Sequence, residues 1–395
     1  MIPHLTSAAW NSNICTYDPV LHNTYMFNFE PVTFDGFISK IDSTGALTNQ
    51  RRISTISGNP LGFPIADSTD EHSTVALGPD GDGILHACGG FHNQTLRLIK
   101  QATAGVMSTW TDEHLDAAFS SSAVWCFQSF HRFSDGTLLL QIFRSDNSNA
   151  TMNIGIYTRA PGAGWVKKTD AVQGNTSSNG YGAFYGPIYI DGNDVMHLFF
   201  VWHGNISNPY DKPGPIMYMR SADKGNTWQN VSGTAITIPL TLAGTAVAST
   251  GISPFSGTNY ADGVCLDASG YPNCACSTLG GGNAIVRWNG TAWEQIIPVT
   301  AALSRNTCLI NLQGQLWQLG QRSTTVADPS RVQLIRIDQA AGPRMGPGLV
   351  EDNWIPQYDE NYFKAFNVIR TFTPAEDNTP RLYTFGDGSK RFTSP

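Results

Sequence analysis

One short unit recurs along this chain: a tight turn built on Asp or Gln with a nearby Gly, followed at once by an apolar strand. It reads "GPDGDGILHACGG" at 78–90, "FSDGTLLLQIFR" at 133–144, "IDGNDVMHLFFVWH" at 190–203, "LDASGYPNCAC" at 266–276 and "LQGQLWQLGQ" at 312–321. Asp and Gly suit such turns because Asp hydrogen-bonds its own backbone and Gly accepts positive φ. The apolar side is rich in the aliphatic and aromatic residues of strands. Successive turns stand roughly 45–75 residues apart, where a propeller blade with loop insertions repeats at about 40–50 or more. A unit of this size cannot bury both faces alone, so neighbours must stack and close. Roughly seven units fit the length of 395 residues. The expected fold is therefore all-β: a seven-bladed β-propeller of four-stranded antiparallel blades. Residues 1–395 form a single domain, its N- and C-terminal segments closing the ring together.

The rest of the composition agrees. Long helical periodicity is absent; at most a helical turn is expected within 103–122. Charged residues are 14%, against about 25% in an average soluble domain. The net charge of -7 and the absence of a basic stripe exclude nucleic acid as the main partner. No apolar run reaches the roughly 18 residues of a membrane span. The start, "MIPHLTSAAWNSNICTYDP", carries neither the positive nor the apolar region of a signal peptide. The spacing Cys274-Ala-Cys276 is not a two-pair zinc pattern, and the seven cysteines are expected mostly as buried apolar fillers.

Two kinds of motif stand out. "SADKGNTW", Ser221 to Trp228, fits the Asp-box pattern S-x-D-x-G-x-T-W. Asp223 and Gly225 would shape a hairpin and Trp228 would pack into the blade. "RWNGTAW" (287–293) and "RAPGAGW" (159–165) look like degraded copies. These hairpins are structural and lie away from a propeller mouth. The second motif is "DEHSTVALGPDGDGILHACGGFH" (70–92), with His72, His86 and His92 around one turn. His86, inside an apolar strand, reads as a core histidine, as does His197 in "VMHLFF". His72 and His92 lie just outside strands, where loops meet the mouth.

Together with "GAFYGPIYIDGNDVMHLFFVWHG", "MYMRSADKGNTW", "GVCLDASGYPNCAC" and "EDNWIPQYDENYFKAF", these segments resemble the BNR-repeat (Asp-box) propellers of the ulvan lyase type. The resemblance runs from about Trp10 to about Thr384 and rests on the order of the motifs. It implies a seven-bladed propeller and, in many members, cleavage of uronate-containing, often sulfated polysaccharides by β-elimination. The family's two histidines match His72 and His92. Its arginine matches Arg144, and its tyrosine Tyr185, with Tyr181 as competitor. The residue after the strand Trp202 matches His203. Many members carry Tyr-Pro before the turn that precedes the arginine; here the place reads "CFQSFHRF", so Phe127, Gln128 or His131 stands there. Some relatives hold a structural metal. His203 and Cys265 resemble two of its ligands, but four do not assemble, and neither a metal nor another cofactor is required by the chemistry.

β-Elimination needs the uronate carboxylate neutralised, the C5 proton taken and the leaving oxygen at C4 protonated. A guanidinium pairs bidentately with a carboxylate, which suits Arg144. Histidine or tyrosine suits proton transfer. His92 or His72 is the base; Tyr185 is the acid, or both acid and base. Gln128, His131, Tyr181, Trp202, His203 and Arg220 are the expected substrate contacts. The expected partner is an anionic polysaccharide, met outside the cell or on a virion. A non-catalytic glycan-binding propeller is the alternative. A sialidase-like hydrolase ranks lower: Arg97, Arg220 and Arg305 are scattered and no early Arg-Ile-Pro element is present.

Overall fold

The computed structural model describes residues 15–29, 36–44, 46–54, 74–90, 97–113, 124–145, 152–174, 182–184, 186–203, 213–241, 251–252, 258–278, 283–296, 308–312, 315–322, 331–337, 367–368, 373–374, 380–381 and 384–385. Among them there is no helix, and the strands form antiparallel sheets taken up in chain order. The first sheet comprises β1 (Cys15–Asp18), β2 (Asn23–Phe29), β3 (Gly36–Ile41) and β4 (Leu47–Ser54). The second comprises β5 (Thr74–Pro79), β6 (Leu85–Gly90), β7 (Arg97–Gln101) and β8 (Trp110–Asp112). The third comprises β9 (Val124–Arg132), β10 (Leu138–Ser145), β11 (Met152–Arg159) and β12 (Val166–Val172).

The fourth sheet contains β13 (Gly182–Phe184), β14 (Ile188–Ile190), β15 (Met196–His203), β16 (Pro213–Ser221), β17 (Trp228–Gln229), β18 (Ala235–Ile236) and β19 (Gly251–Ile252). β13 and β14 both pair with β15, and β17 and β19 both pair with β16. It is thus a four-strand layout with its outer positions split, plus the short β18. The fifth sheet comprises β20 (Thr258–Leu266), β21 (Pro272–Thr278), β22 (Asn283–Trp288) and β23 (Trp293–Ile296). The sixth has three strands, β24 (Cys308–Leu312), β25 (Gln315–Arg322) and β26 (Arg331–Ile337). The all-β expectation and the four-stranded antiparallel unit are both met.

The contacts divide the chain into two units, one of residues 1–149, 154–169 and 371–395, the other of 150–153 and 170–370. In the first, Ala76, Cys88, Leu98, Phe130, Leu138, Leu140, Ile142 and Tyr157 form a buried cluster, with Trp165 packed against it. In the second, Phe199, Val201, Ile216, Tyr218, Val264, Cys274, Cys276 and Val286 do the same. Strands such as β10 and β15 bury consecutive residues rather than alternate ones, the pattern of a strand covered on both faces. Cys88, Cys265, Cys274 and Cys276 are buried, as expected of fillers.

The Asp turns close in one way. Oδ1 of Asp80 accepts from the amides of Asp82 and Ile84, both at 3.0 Å. Asp191 and Asp267 repeat this with Asn193 and Val195, and with Ser269 and Tyr271. In the third sheet Phe133 takes that place, and Asp135 instead accepts from Thr137.

The Asp box lies between β16 and β17, as a third-to-fourth-strand hairpin. Asp223 accepts from the amide and hydroxyl of Thr227 at 2.8 and 2.7 Å, and buried Trp228 donates its indole N–H to Gly225 O. "RAPGAGW" and "RWNGTAW" occupy the same hairpin in the third and fifth sheets. A further copy spans 101–110: Gly105 donates to Gln101, and Trp110 donates to Met107 O at 2.9 Å. Sequence matching misses it because Gln replaces Ser and the hairpin is longer.

Candidate functional site

Each sheet has two ends. The Asp turns and Trp hairpins form one, called here the turn end. Of the candidate residues, Arg144, Trp202 and His203 lie at the opposite end. Arg144 lies there on β10, opposite Trp125 and far from the Phe133 turn; Trp202 and His203 close β15 in the same sense. His72, His92, Tyr181 and Tyr185 lie outside the described residues. β6, which leads towards His92, ends at Gly90, opposite Thr74 at the start of β5.

Two candidates are placed elsewhere. Arg220 precedes the Asp box and pairs with His197. Seven residues of strand, roughly 20 Å at about 3.3 Å per residue, separate it from the Pro213 end where His203 pairs. It therefore does not share an end with Trp202 and His203. His131 stands one residue from the turn end of β9, opposite Leu139, with Nε2 3.1 Å from Ser129 Oγ. Burial of its ring lowers its pKa to about 4, so the neutral form prevails at pH 7.

Gln128 sits in a β-bulge. Ser129 pairs with Gln141 and Cys126 with Phe143, so Phe127 and Gln128 together face Ile142. The first strand of the fifth sheet bulges at the corresponding place, where Asp262 is the extra residue between Ala261 and Gly263. The fourth sheet breaks there, between Phe184 and Ile188. The ladder is thus interrupted at one level in the first strand of each of these three sheets. The Gln128 side chain is fully buried and donates through Nε2 to Cys88 O at 3.2 Å.

The turn ends hold a second set of polar residues. Asp80 in the turn and His86 on β6 are both fully buried, with Nε2 of His86 3.1 Å from Asp80 Oδ2. Nδ1 of His86 is 2.9 Å from Glu113 Oε2. Arg159 on β11 places Nη1 2.6 Å from Asp80 Oδ2 and Nε 3.5 Å from Glu113 Oε1. Lys100 and the Trp165 indole also reach Glu113, at 2.7 and 2.9 Å. Burial by itself would raise Glu113; hydrogen bonding and charge from His86, with Lys100 and Trp165, outweigh it and hold the pKa at about 2. Asp80 is likewise lowered: His86, the Ile84 amide and Arg159 overcome its burial.

The fourth sheet repeats the pair. His197 lies 3.5 Å from Asp191 through Nε2 and 2.7 Å from the Tyr218 hydroxyl through Nδ1. Burial lowers the His197 pKa against the opposing pull of Asp191, and Arg220 lowers it further. In the fifth sheet Asn273 stands at the same offset from Asp267, and in the third Leu139 stands at that offset from Phe133. His86 and His197 are thus core histidines held by the turn carboxylate six residues earlier. That Asp-to-His spacing is visible in the sequence and is the signal for a network that motif reading left unassembled. Among the described residues, no three His, Cys, Asp or Glu side chains are grouped to hold a metal ion. Cys265, resembling a ligand position, packs with Ala275, Ile285, Leu309 and Leu316, apolar company that does not fit a metal site.

Residues 36–300 match the family described as "BNR repeat-containing family member". The chain belongs to that family. Among solved structures, this BNR-repeat protein shares its fold with a polysaccharide lyase of a new family, the PL25 ulvan lyase. The TM-score is 0.66, with 15% identity over 84% of this chain and 80% of that one. The same enzyme bound to -[GlcA(1-4)Rha3S]- gives the same values. Polysaccharide lyase Uly1 matches with a TM-score of 0.51 and 12% identity, covering 84% of this chain and 91% of that one. At these identities the likeness establishes the fold. No curated protein matches the sequence.

Proposed function

We propose that this BNR-repeat protein is a polysaccharide lyase, a seven-bladed propeller that cleaves an anionic, uronate-bearing, ulvan-like glycan by β-elimination outside the cell. The observation that carries the reading is the fold held in common with ulvan lyases over 84% of the chain, one of them bound to -[GlcA(1-4)Rha3S]-. The family match over 36–300 and the position of Arg144 at the end of β10 away from the turn support it.

On this reading Arg144 pairs with the uronate carboxylate and withdraws charge, so the C5 proton becomes acidic. His92 or His72 accepts that proton, and Tyr185 protonates the departing O4. Tyr181, Trp202 and His203 contact flanking sugars. His131 and Arg220, at turn ends, take no part. No metal or cofactor is required.

The test is incubation with ulvan, glucuronan and alginate while following the ultraviolet absorbance of a C4–C5 unsaturated uronate. The expected result is rising absorbance that falls at least 100-fold in rate in His92→Ala and Arg144→Ala, in keeping with the roughly 10²–10⁴-fold contributions of such groups. New reducing ends without absorbance would replace the lyase by a hydrolase. Binding without cleavage would favour a glycan-binding propeller, the second reading, which "CFQSFHRF" in place of Tyr-Pro favours.

A further inference from the structure

We infer that Gln128 is a positioning residue: its buried amide bolts the strand that leads to His92 onto the strand pair that carries Arg144. The inference rests on the lyase reading for its catalytic consequence, but not for its structural one.

The geometry is specific. Cys88 lies on β6, two residues before Gly90, where the described strand ends and the chain continues to His92. Gln128 lies on β9, three residues from Trp125, the partner of Arg144. One hydrogen bond, from Gln128 Nε2 to Cys88 O at 3.2 Å, links the two strands, 40 residues apart in sequence. Both partners are fully buried, so no water competes for the bond. The bulge at Phe127–Gln128 turns this side chain out of the ladder of β9 and β10 and towards the second sheet. A regular strand would have put a different residue at this level. A buried hydrogen bond to Cys88, a member of the apolar cluster with Ala76, Phe130 and Leu140, specifies the register of the two strands where apolar packing alone would not. That register is the spacing between the two chain segments that supply the base and the carboxylate partner.

An amide that is fully buried does not touch the glycan, so Gln128 acts through His92 and Arg144. Misplacement of a catalytic group by about 1 Å costs about 10²-fold in rate.

Gln128→Met keeps the length and approximate volume of the side chain and removes the donor. Gln128→Glu restores a donor only when the introduced carboxyl is protonated. Hydrogen exchange of the peptides spanning 85–96 and 138–145 reads the bolt without reference to activity. The expected result is faster exchange in both for Gln128→Met, with exchange across 258–278 unchanged. On the glycan that the wild type cleaves, kcat falls about 10–100-fold. KM changes less than kcat, because the flanking-sugar contacts of Tyr181, Trp202 and His203 are untouched. Gln128→Glu regains kcat as pH falls, relative to wild type, whereas loss of general packing would give no such recovery. Unchanged exchange in both peptides overturns the inference whatever the activity. If exchange changes but kcat and KM do not, the bolt is structural only and the positioning role is overturned. A wild type that cleaves nothing refutes the lyase reading and with it the catalytic part of the inference, leaving the exchange result to decide the structural part.

Discussion

Arg159 and Asp80 meet at 2.6 Å although 79 residues of chain separate them. The contact joins the third sheet to the turn of the second. Around it, Gly81 donates to Gly136 O at 2.9 Å and Gly162 to Asp82 at 2.9 Å, so two neighbouring turns touch through backbone as well as charge. His86 and Glu113 complete the cluster.

Arg159→Met should be strongly destabilising. The substitution leaves the fully buried carboxylate of Asp80 without its guanidinium, a situation that costs about 3–5 kcal/mol when one partner of a buried pair is removed. Urea unfolding of the two proteins at pH 7 measures it. A difference below about 1 kcal/mol would mean that His86 and the amides of Asp82 and Ile84 suffice for Asp80.

The same cluster sets the acid limit of stability. Glu113 titrates at about 2 in the fold against 4.5 as a free side chain, and Asp80 is lowered too. A depressed carboxylate contributes stability that is fully present above the unfolded pKa and is lost as pH falls through the folded one. Stability should therefore decline between pH 4.5 and about 2. Glu113→Gln should be less stable at pH 7 and show a shallower decline over that window, measured by urea midpoints from pH 7 to pH 2.

His131 acts at higher pH. Its pKa is near 4 in the fold and 6.5 when free, so the unfolded chain takes up a proton first. Folding stability should fall as pH drops from 6.5 towards 4 and flatten on this account below. His131→Asn, which does not titrate, should flatten that part of the profile and leave the lower window unchanged.

Gly136→Ala tests the turn-to-turn contact. Gly136 has φ of 83°, and a Cβ there would stand 2.6 Å from the Cα of Gly81. Left-handed backbone alone costs a non-glycine residue about 1–2 kcal/mol, and the clash adds to it. Gly162→Ala has φ of 68° and open space, so it bears the backbone cost without the clash. Gly136→Ala should be the more destabilising by thermal unfolding.

Trp228→Ala should cost about 3–5 kcal/mol, because the indole is 1% exposed and closes the Asp-box hairpin through Gly225 O. Calorimetry measures it, and an effect confined to about 1 kcal/mol would place the box outside the core.

Local chemistry by itself determined the repeating unit. Asp80, Asp191 and Asp267 make turns through their own side chains and amides two and four residues on. The strands after them are apolar runs, and Ser221 to Trp228 closes its own hairpin. All of these are interactions within a few residues, so their pattern is readable along the chain. Tertiary structure decided what depends on residues distant in sequence. The meeting of His86 and Arg159 on the carboxylates of Asp80 and Glu113 needs two sheets brought together, and the shift of Gln128 from expected glycan contact to a buried donor needs both a bulge and the neighbouring strand. Arg220 and His203 share one strand pair, yet the antiparallel register puts them at opposite ends. Beyond the six-residue spacing of Asp80 to His86 and Asp191 to His197, whether a polar side chain meets solvent, substrate or a buried partner is set by packing between strands distant in sequence.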